Sequence, residues 1–309
     1  MTVFDSDSLF KPTQYPGNSD EDPQDEKPTL VITMAGYGDA GQAQQLINKR
    51  LLEGFTNHRI GSFDVDQLVD YAGSRPPVIF DHDHFRQYEP PEMTLHEVRD
   101  SDGRRFVLLS GPEPAYQWER LARTIDKVMN DLGANRAVFL QSMPAPAPHT
   151  RPVFVSGYAS DPSLLTEVDG IPGAFKMGST FTAMLSIRLT ERGKDVIGLV
   201  AHVPHYLSES PYPQAAMALL EKIRPVSGLN LPAGDALMQQ SRQIHELTEA
   251  QVRDSEDVKA VVTQLEQQYD HWMSERAINP RPAIPSPEEI GAEVEEFLKG
   301  LDRDDPGNP

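Results

Sequence analysis

The chain has 309 residues and a formal net charge of −19; this acidity argues against a nucleic-acid partner and against an anionic membrane surface, because both are bound through clustered Lys and Arg. It has no cysteine, which excludes disulfides, thiolate catalysis and cysteine-ligated zinc. The N-terminus shows no signal-peptide pattern and no apolar run approaches the roughly 20 residues of a membrane span, so we expect a cytoplasmic protein.

After an acidic N-terminal segment, the apolar patterns alternate between strands and helices. Residues 1–28 are rich in Asp, Ser and Pro, which predicts a disordered acidic tail. Short apolar runs predict strands at 29–35, 59–65, 76–80, 136–142, 153–159 and 195–203. Helical spacing of apolar residues predicts helices at 40–53, 118–132, 181–189 and 213–223. This alternation, with a β-hairpin around Asp102–Gly103, predicts an α/β domain over 29–228 in which helices cover a mostly parallel sheet.

The character of the sequence changes after this domain. Helical spacing over 235–252 and 255–275 predicts a helical hairpin within residues 229–277. Residues 278–309 predict a proline-rich linker and a short acidic helix. The second helix of the hairpin carries an apolar stripe that requires burial: Val258, Val261, Val262, Leu265, Tyr269 and Trp272. The stripe can pack on the first helix, but that helix has the thinner apolar face, so we expect another subunit to cover part of it.

The first predicted strand ends in a glycine-rich turn, GYGDAG. Gly36, Gly38 and Gly41 fit the G-x-G-x-x-G pattern of dinucleotide-binding proteins, and Asp64 could hold a ribose. Asp39, however, lies where the pyrophosphate would sit, and its charge would repel phosphate. The other interpretation is a turn that needs the backbone freedom of glycine, with Asp39 capping the following helix. We therefore expect neither NAD(H) nor ATP as a cofactor.

Polar side chains in loops after predicted strands are further candidates for a binding site. The prolines of residues 143–152 predict a loop, in which His149, Thr150 and Arg151 could bind a carboxylate or phosphate. Alternatively, Arg151 pairs with a local acid such as Glu113 and fixes the loop. A pocket at the C-terminal edge of the sheet would be lined by Asp39, Glu113, His149, Arg151, His202 and His205.

Two histidines, His82 and His84, lie two residues apart and could hold a divalent metal together with Asp81 or Asp83. We favour the other interpretation, an exposed polar loop after a short strand. The sequence has no G-x-S-x-G elbow and no G-x-x-x-x-G-K-[ST] loop. We therefore assign no catalytic residue, no metal site and no cofactor.

Several motifs occur in an order that points to one family: GYGDAGQA, DQLVDYAGSRP, GPEPAYQWE, MPAPAPHTRP, AHVPHYL, YPQAAMALLE and LEQQYD. Over residues 29–275 they resemble the actinobacterial branch of the proteasome assembly chaperone family. The resemblance implies a three-layer α/β/α sandwich related to the nucleoside phosphorylase architecture, with a C-terminal helical addition. It implies no dinucleotide at the glycine turn, which makes Asp39 the residue of interest. A basic residue usual soon after Tyr71 is replaced here by Ala72 and Gly73, which argues against anion binding by that loop.

The resemblance also favours one class of function. Eukaryotic members of the family are chaperones that help to assemble the proteasome, whereas bacterial members have no settled activity. We interpret the chain first as a non-catalytic assembly or regulatory factor that binds an unidentified protein partner. The alternative is a small-molecule-binding protein or an enzyme, ligase-like or phosphorylase- or hydrolase-like, with a pocket at the C-terminal edge of the sheet. We expect a homo-oligomer, with a trimer favoured over a dimer by analogy with nucleoside phosphorylases.

Overall fold

The structure is a computed structural model and describes residues 9–13, 27–171, 173–174 and 176–278. Its strands are β1 (Phe10–Pro12), β2 (Thr29–Ala35), β3 (Asn57–Phe63), β4 (Ile79–Asp81), β5 (His84–Arg86), β6 (Met93–Arg99), β7 (Arg105–Pro112), β8 (Arg136–Ala145), β9 (Val155–Ala159) and β10 (Asp195–Pro204). Its helices, apart from short 3-10 turns, are α1 (Ala43–Gly54), α2 (Tyr71–Ser74), α3 (Trp118–Asp131), α4 (Phe181–Glu191), α5 (Pro213–Ser227), α6 (Gly234–Arg253) and α7 (Glu256–Ile278).

Within the described residues, eight strands form one mixed sheet in the order β1-β3-β6-β7-β2-β8-β10-β9, and β4 and β5 form a separate ribbon. The four central strands, β7, β2, β8 and β10, are parallel. The strands outside them pair antiparallel. The prediction of a mostly parallel sheet is therefore correct only for the centre. The turn at Asp102–Gly103 makes β6 and β7 a hairpin, and strands joined by so short a turn are antiparallel.

Helices cover both faces of the sheet. α1, α5 and α6 contribute to the apolar cluster on one face, and α3 and α4 contribute to the cluster on the other. β2 lies between the two clusters and is buried from Thr29 to Met34, as expected of a strand with helices on both sides. Its side chains alternate, since Val31 belongs to the first cluster and Ile32 to the second. The three-layer α/β/α architecture with a C-terminal helical addition is thereby confirmed.

The predicted proline-rich loop begins later than expected, because β8 runs through Pro144 to Ala145. Pro144 pairs with Val203 of β10 in parallel register. On its other side, β8 pairs with β2 only as far as Phe139, so the end of β8 has a single neighbouring strand. A proline is tolerated at such a position because its missing N–H interrupts no central ladder of hydrogen bonds.

Part of the N-terminal segment belongs to the sheet, which corrects the prediction of a disordered tail over this whole region. β1 pairs antiparallel with β3. Leu9 is fully buried in the cluster that contains α3 and α4, and Phe10 packs on Phe63 with ring centroids 5.2 Å apart. A strand of three residues is too short to show an alternating pattern in a sequence. Residues 1–8 and 14–26 lie outside the described residues.

The helices α6 and α7 form a hairpin, with α6 packed on α1 and α5 and α7 packed on α6. In the apolar stripe of α7, Val262 and Leu265 are buried, whereas Val258 and Val261 are 41% and 47% exposed. The hairpin therefore covers the stripe only in part. The predicted linker and acidic helix from residue 279 onward lie outside the described residues. No helix in the described part of the chain is long and apolar enough to cross a membrane.

We expect Leu9→Ala to lower the free energy of unfolding by about 2–4 kcal/mol, because it removes a fully buried side chain and leaves a cavity. Urea titration followed by circular dichroism measures the change. Lys11→Ala is the matched control, because this side chain is 67% exposed and only forms an ion pair of 3.3 Å with Asp64, which contributes about 0–1 kcal/mol. Equally small effects of both substitutions would show that the segment does not contribute to the folded sheet.

Candidate functional site

The glycine-rich turn after β2 places a carboxylate at the N-terminus of α1. Asp39 is only 8% exposed. Its Oδ1 accepts a hydrogen bond from the backbone N–H of Gln44 at 2.7 Å, and its Oδ2 accepts one from the side-chain amide of Gln45 at 3.1 Å. Burial raises the pKa of the Asp39 carboxyl to about 6, although these hydrogen bonds oppose the rise. Asp39 thus caps the first turn of α1, as one of the two interpretations of the sequence predicted.

The remaining parts of the apparent dinucleotide motif have structural roles. Gly41 has φ of 67°, and a Cβ there would lie 2.8 Å from the Cβ of Tyr212, so this turn requires glycine. Asp64 follows β3, which β6 and β7 separate from β2. Three strand spacings place β3 roughly 14 Å from β2, whereas the two strands are neighbours in a dinucleotide-binding fold. The Asp64 carboxylate instead accepts hydrogen bonds from Lys11 and Gln67.

A second carboxylate occupies the N-terminus of α4. Glu113 follows β7, and its Oε1 accepts a hydrogen bond of 2.7 Å from the backbone N–H of Phe181, the first residue of α4. The hydroxyl of Thr180 accepts a second one from the N–H of Ala183. A helix N-terminus is a ready site for a phosphate or carboxylate ligand. At α4, as at α1, the chain fills this site with its own side chains.

His149 connects the loop after β8 to α6. The hydroxyl of Tyr206 accepts a hydrogen bond from the backbone N–H of His149 at 2.9 Å and lies 2.7 Å from its Nδ1. Nε2 lies 3.0 Å from Oε1 of Glu249. If the hydroxyl donates its own proton to Nδ1, Nε2 carries the ring proton and donates it to the carboxylate. Both ring nitrogens of this buried histidine are therefore engaged within the protein.

Arg151 fastens the same loop to α7. Its Nε and Nη2 donate to the two carboxylate oxygens of Asp270 at 2.9 and 2.8 Å, and its Nη1 donates to Glu266 at 3.1 Å. These hydrogen bonds from Arg151 lower the pKa of the Asp270 carboxyl. The hydroxyl of Tyr269 donates to the backbone oxygen of Pro152 at 2.9 Å. Paired hydrogen bonds of an arginine with one carboxylate fix geometry as well as charge.

Thr150 completes this set, because its hydroxyl donates to Glu266 at 2.5 Å. We name these contacts the clasp; its members are His149, Thr150, Arg151 and Pro152 of the loop and Glu249, Glu266, Tyr269 and Asp270 of the helices. The acid that pairs with Arg151 is not Glu113, as one alternative predicted, because Glu113 caps α4. Pairing with acids, and the resulting attachment of the loop, are confirmed.

The remaining two candidates, His202 and His205, form hydrogen bonds with residues outside the clasp. Nε2 of His202 is 2.9 Å from the hydroxyl of Ser156, and its ring packs on Phe154 with centroids 5.0 Å apart. His205 begins a short 3-10 turn and is exposed, and its carbonyl accepts hydrogen bonds from Ser208. The six candidates are thus distributed over two helix N-termini, the clasp, the β9 edge and the surface.

A cleft of about 570 Å³ adjoins the clasp. Of the six candidates, the structure brings His149 and Arg151 together in its lining, beside Tyr212 and Arg224. Sequence reasoning missed the partners of these side chains, because they come from helices about 100 residues further along the chain. One signal was available: two acids of α7 spaced by four residues lie on one helix face and suit a guanidinium group.

Of the two histidines considered as metal ligands, His82 lies in the turn between β4 and β5, and His84 is the first residue of β5. Nδ1 of His82 is 2.6 Å from Asp81, and Nδ1 of His84 is 2.8 Å from Asp83. Both histidines are exposed. In the part of the chain that the structure describes, no three His, Cys, Asp or Glu side chains are grouped so that they could hold a metal ion.

The fold and the sheet edge define an α/β protein in which acids of the chain itself occupy the N-termini of α1 and α4. The sequence model of the PAC2 family matches residues 33–252, and the chain belongs to this family. A proteasome-assembly chaperone homologue from Mycobacterium tuberculosis is 25% identical, with a TM-score of 0.68 over 76% of this chain and 99% of that chain. The resemblance found in the sequence is thereby confirmed.

Two further solved structures are more similar to this chain. A protein of unknown function from Corynebacterium glutamicum is 32% identical, with a TM-score of 0.81, and the match covers 89% of this chain and 100% of that chain. Another, from Mycobacterium tuberculosis, is 30% identical with a TM-score of 0.83, and the match covers 88% and 92%. A comparison with curated protein sequences gives no match.

We expect Asp39→Asn to change how stability depends on pH. The pKa of about 6 in the folded protein exceeds the roughly 4 of an unfolded chain, so folding favours the protonated form. The stability contributed by Asp39 is fully present below pH 4 and is lost as pH rises through 6. From pH 4 to 7.5 the wild type should therefore lose roughly 2–3 kcal/mol relative to the variant, measured by urea titration at each pH.

Asp64→Asn is the control for this experiment. Burial of Asp64 opposes its ionisation, but hydrogen bonds from Gln67 and Lys11 outweigh that effect and lower its pKa. Its contribution is therefore present above pH 4 and lost as pH falls through the lowered pKa. Between pH 4 and 7.5 Asp64→Asn should therefore leave the pH dependence of stability unchanged, and extending the titration below pH 4 should reveal a loss of stability in the wild type that this variant lacks. A shift of the Asp64 variant parallel to that of Asp39→Asn would contradict the assigned roles.

We expect Arg151→Ala to loosen α7 without unfolding the α/β domain, because it removes the guanidinium that Asp270 and Glu266 share. Hydrogen exchange should become faster across residues 256–275 and stay unchanged in β2 and β8. Arg188→Ala is the matched control, since this arginine also bridges two carboxylates but lies on α4. Unchanged exchange in α7 of the Arg151 variant would show that the clasp does not hold the helix.

Proposed function

We propose that the chain acts by binding proteins, as a non-catalytic assembly or regulatory factor of the proteasome-assembly-chaperone type. Its membership of the PAC2 family and its similarity to a proteasome-assembly chaperone homologue support this class of function. The observation that carries the proposal is the exposed aromatic ribbon formed by β4 and β5, because an apolar element of this kind is suited to contact with another protein.

The ribbon, residues 77–89, projects apolar side chains into solvent. Phe80 and Phe85 pair across its two strands with ring centroids 5.1 Å apart, and they are 60% and 72% exposed. Val78, Ile79 and Tyr88 are exposed as well. An isolated two-stranded hairpin is at best marginally stable in water. A partner surface that covers these rings would stabilise the ribbon and remove the patch from solvent.

The polar candidates support the non-catalytic part of the proposal. A general base or nucleophile must come within hydrogen-bonding reach of its substrate, whereas these candidates are held against the protein's own backbone and side chains. Asp39 and Glu113 accept hydrogen bonds from helix N-termini, and both nitrogens of His149 have partners within the chain. The positive charge of Arg151 is matched by two acids. These side chains hold the structure together, which leaves protein contact as the better-supported role.

We further propose that the ribbon binds a second copy of the chain, so that the protein is a homo-oligomer, with the trimer remaining the favoured state. The sequence predicts an oligomer contact at the apolar stripe of α7, but Val262 and Leu265 of that stripe are buried within the chain. The ribbon offers the larger exposed aromatic surface. Copies whose ribbons pack together around a threefold axis would each remove an apolar patch from water.

Size exclusion with light scattering tests this proposal. We expect the wild type to elute at a multiple of the 34.4 kDa chain mass, and Phe80→Ser combined with Phe85→Ser to elute as a folded monomer. Tyr37→Ser combined with Tyr116→Ser is the matched control, because these rings are similarly exposed but lie outside the ribbon. A wild-type monomer at micromolar concentration would contradict the oligomer, and a dimer would contradict only the trimer.

The cleft beside the clasp favours a second candidate function, binding of a small molecule. His149, Arg151 and Arg224 contribute polar groups to its lining, and Tyr212 contributes an aromatic wall. Its volume of about 570 Å³ is within the usual range for ligand sites. A thermal-shift screen with nucleotides, phosphosugars and divalent metals, repeated on Arg224→Ala, separates this function from one that needs only protein contact.

A further inference from the structure

A small cavity with aromatic walls lies between α7 and the start of β9. It has a volume of about 270 Å³. Phe154, Tyr269 and Trp272 form its aromatic walls, with His202 and Gln268 beside them. The stretch Ala145 to Ala147, at the end of β8, completes the lining. The cavity is separate from the cleft at the clasp, because the two have no lining residue in common.

The rings of this cavity are inclined to one another. Trp272 is perpendicular to Phe154, with an interplanar angle of 86° and centroids 4.8 Å apart, and it is tilted by 57° from Tyr269. Trp272 and Phe154 meet edge to face, and both line the cavity together with Tyr269, so a group inside it lies among three aromatic rings. The face of an aromatic ring carries partial negative charge and attracts a cation.

The charges around the cavity also favour a positively charged ligand. Tyr269 and Trp272 lie on α7 between the acids Glu266, Asp270 and Glu275. The first two share a single arginine, Arg151, and the third lies 3.3 Å from the ring of His271. This part of the surface therefore keeps an excess of negative charge, in a chain whose formal net charge is −19. Its potential favours a cation over a neutral or anionic ligand.

The hydrogen-bonding groups in the walls narrow the choice of cation. Among the described residues, no Asp or Glu lines the cavity, so an ammonium group inside it has no carboxylate to pair with. A primary ammonium would lose water on entry and needs acceptors for its three N–H groups. A quaternary ammonium has no N–H groups, and its methyl groups make apolar contacts with the rings.

We propose that this cavity binds a small quaternary ammonium group, such as that of a choline-type molecule or a trimethylated lysine side chain. The proposal is independent of the ribbon and of self-association. The competing explanation is that the three rings only fasten α7 to the domain. In that case the cavity would show no preference for positive charge.

Calorimetric titration with choline and with its neutral isostere 3,3-dimethylbutan-1-ol tests the proposal. The two molecules have nearly the same shape and differ in charge. We expect choline to bind at least about tenfold more tightly, the factor that a cation–π contact contributes. Equal affinity for both would show an apolar cavity without a cation site and would overturn the proposal, as would the absence of choline binding.

A second measurement assigns the binding to this cavity. The chain has two tryptophans, and Trp118→Phe leaves Trp272 as the single fluorophore. We expect choline to change its emission, whereas the neutral isostere has little effect at the same concentration. Trp272→Leu should lose choline binding, and Tyr269→Phe, which keeps the ring, should retain it. Choline binding without a change in Trp272 emission would place the site elsewhere and contradict the proposal.

Discussion

Two carboxylates occupy helix N-termini at the sheet edge that holds the candidate site residues, and they decide which ligands this edge can accept. Asp39 caps α1 and Glu113 binds the first N–H of α4. A helix N-terminus carries partial positive charge and unpaired N–H groups, so it must be satisfied by a side chain, by water or by a ligand. Here the chain supplies the acids. The burial that raises the pKa of Asp39 shows that this capping carries a desolvation cost, which the hydrogen bonds offset only in part.

The clasp extends the same principle to the C-terminal helices. His149 and Arg151 lie in a loop that parallel strands bring to the ligand edge of the sheet, but their partners are acids of α6 and α7. His149 and Arg151, which could have bound an anionic substrate, instead attach the hairpin of α6 and α7 to the α/β domain. The ribbon formed by β4 and β5 instead exposes aromatic rings to solvent, and an exposed apolar element of this kind suits contact with another protein.

Much of the architecture follows from local patterns in the sequence. β2 is a largely apolar run between two helical layers, and α3 has a regular apolar face, so local patterns alone locate them. Local patterns do not predict β1, because three residues next to an acidic stretch are too few to show a hydrophobic period. Leu9 is buried through contacts with residues distant in the sequence, which no local pattern reveals. From the sequence alone, Pro144 predicts a loop. The structure tolerates it in β8 because the end of this strand lacks a neighbour on one side, and that depends on the arrangement of the whole sheet.

The site was less accessible to sequence reasoning than the fold. Residue types identified the polar loop correctly, yet the partner of Arg151 lies 119 residues away at Asp270, a distance that no local pattern spans. Asp64 appeared to complete a dinucleotide motif because its spacing in the sequence was suitable. The order of strands excludes Asp64 from such a motif, since β6 and β7 lie between β3 and β2. Spacing along the chain therefore predicts a site only when the strand order is known.

Calorimetric titration of the wild-type protein with ATP and with NAD, at pH 7.5 and physiological salt, tests most directly whether these carboxylates exclude phosphate ligands from the sheet edge. With Asp39 ionised within the turn and Glu113 on the N-terminus of α4, a pyrophosphate would meet negative charge at both helix ends. The account predicts no heat of binding up to millimolar nucleotide. Micromolar affinity for either nucleotide would contradict it.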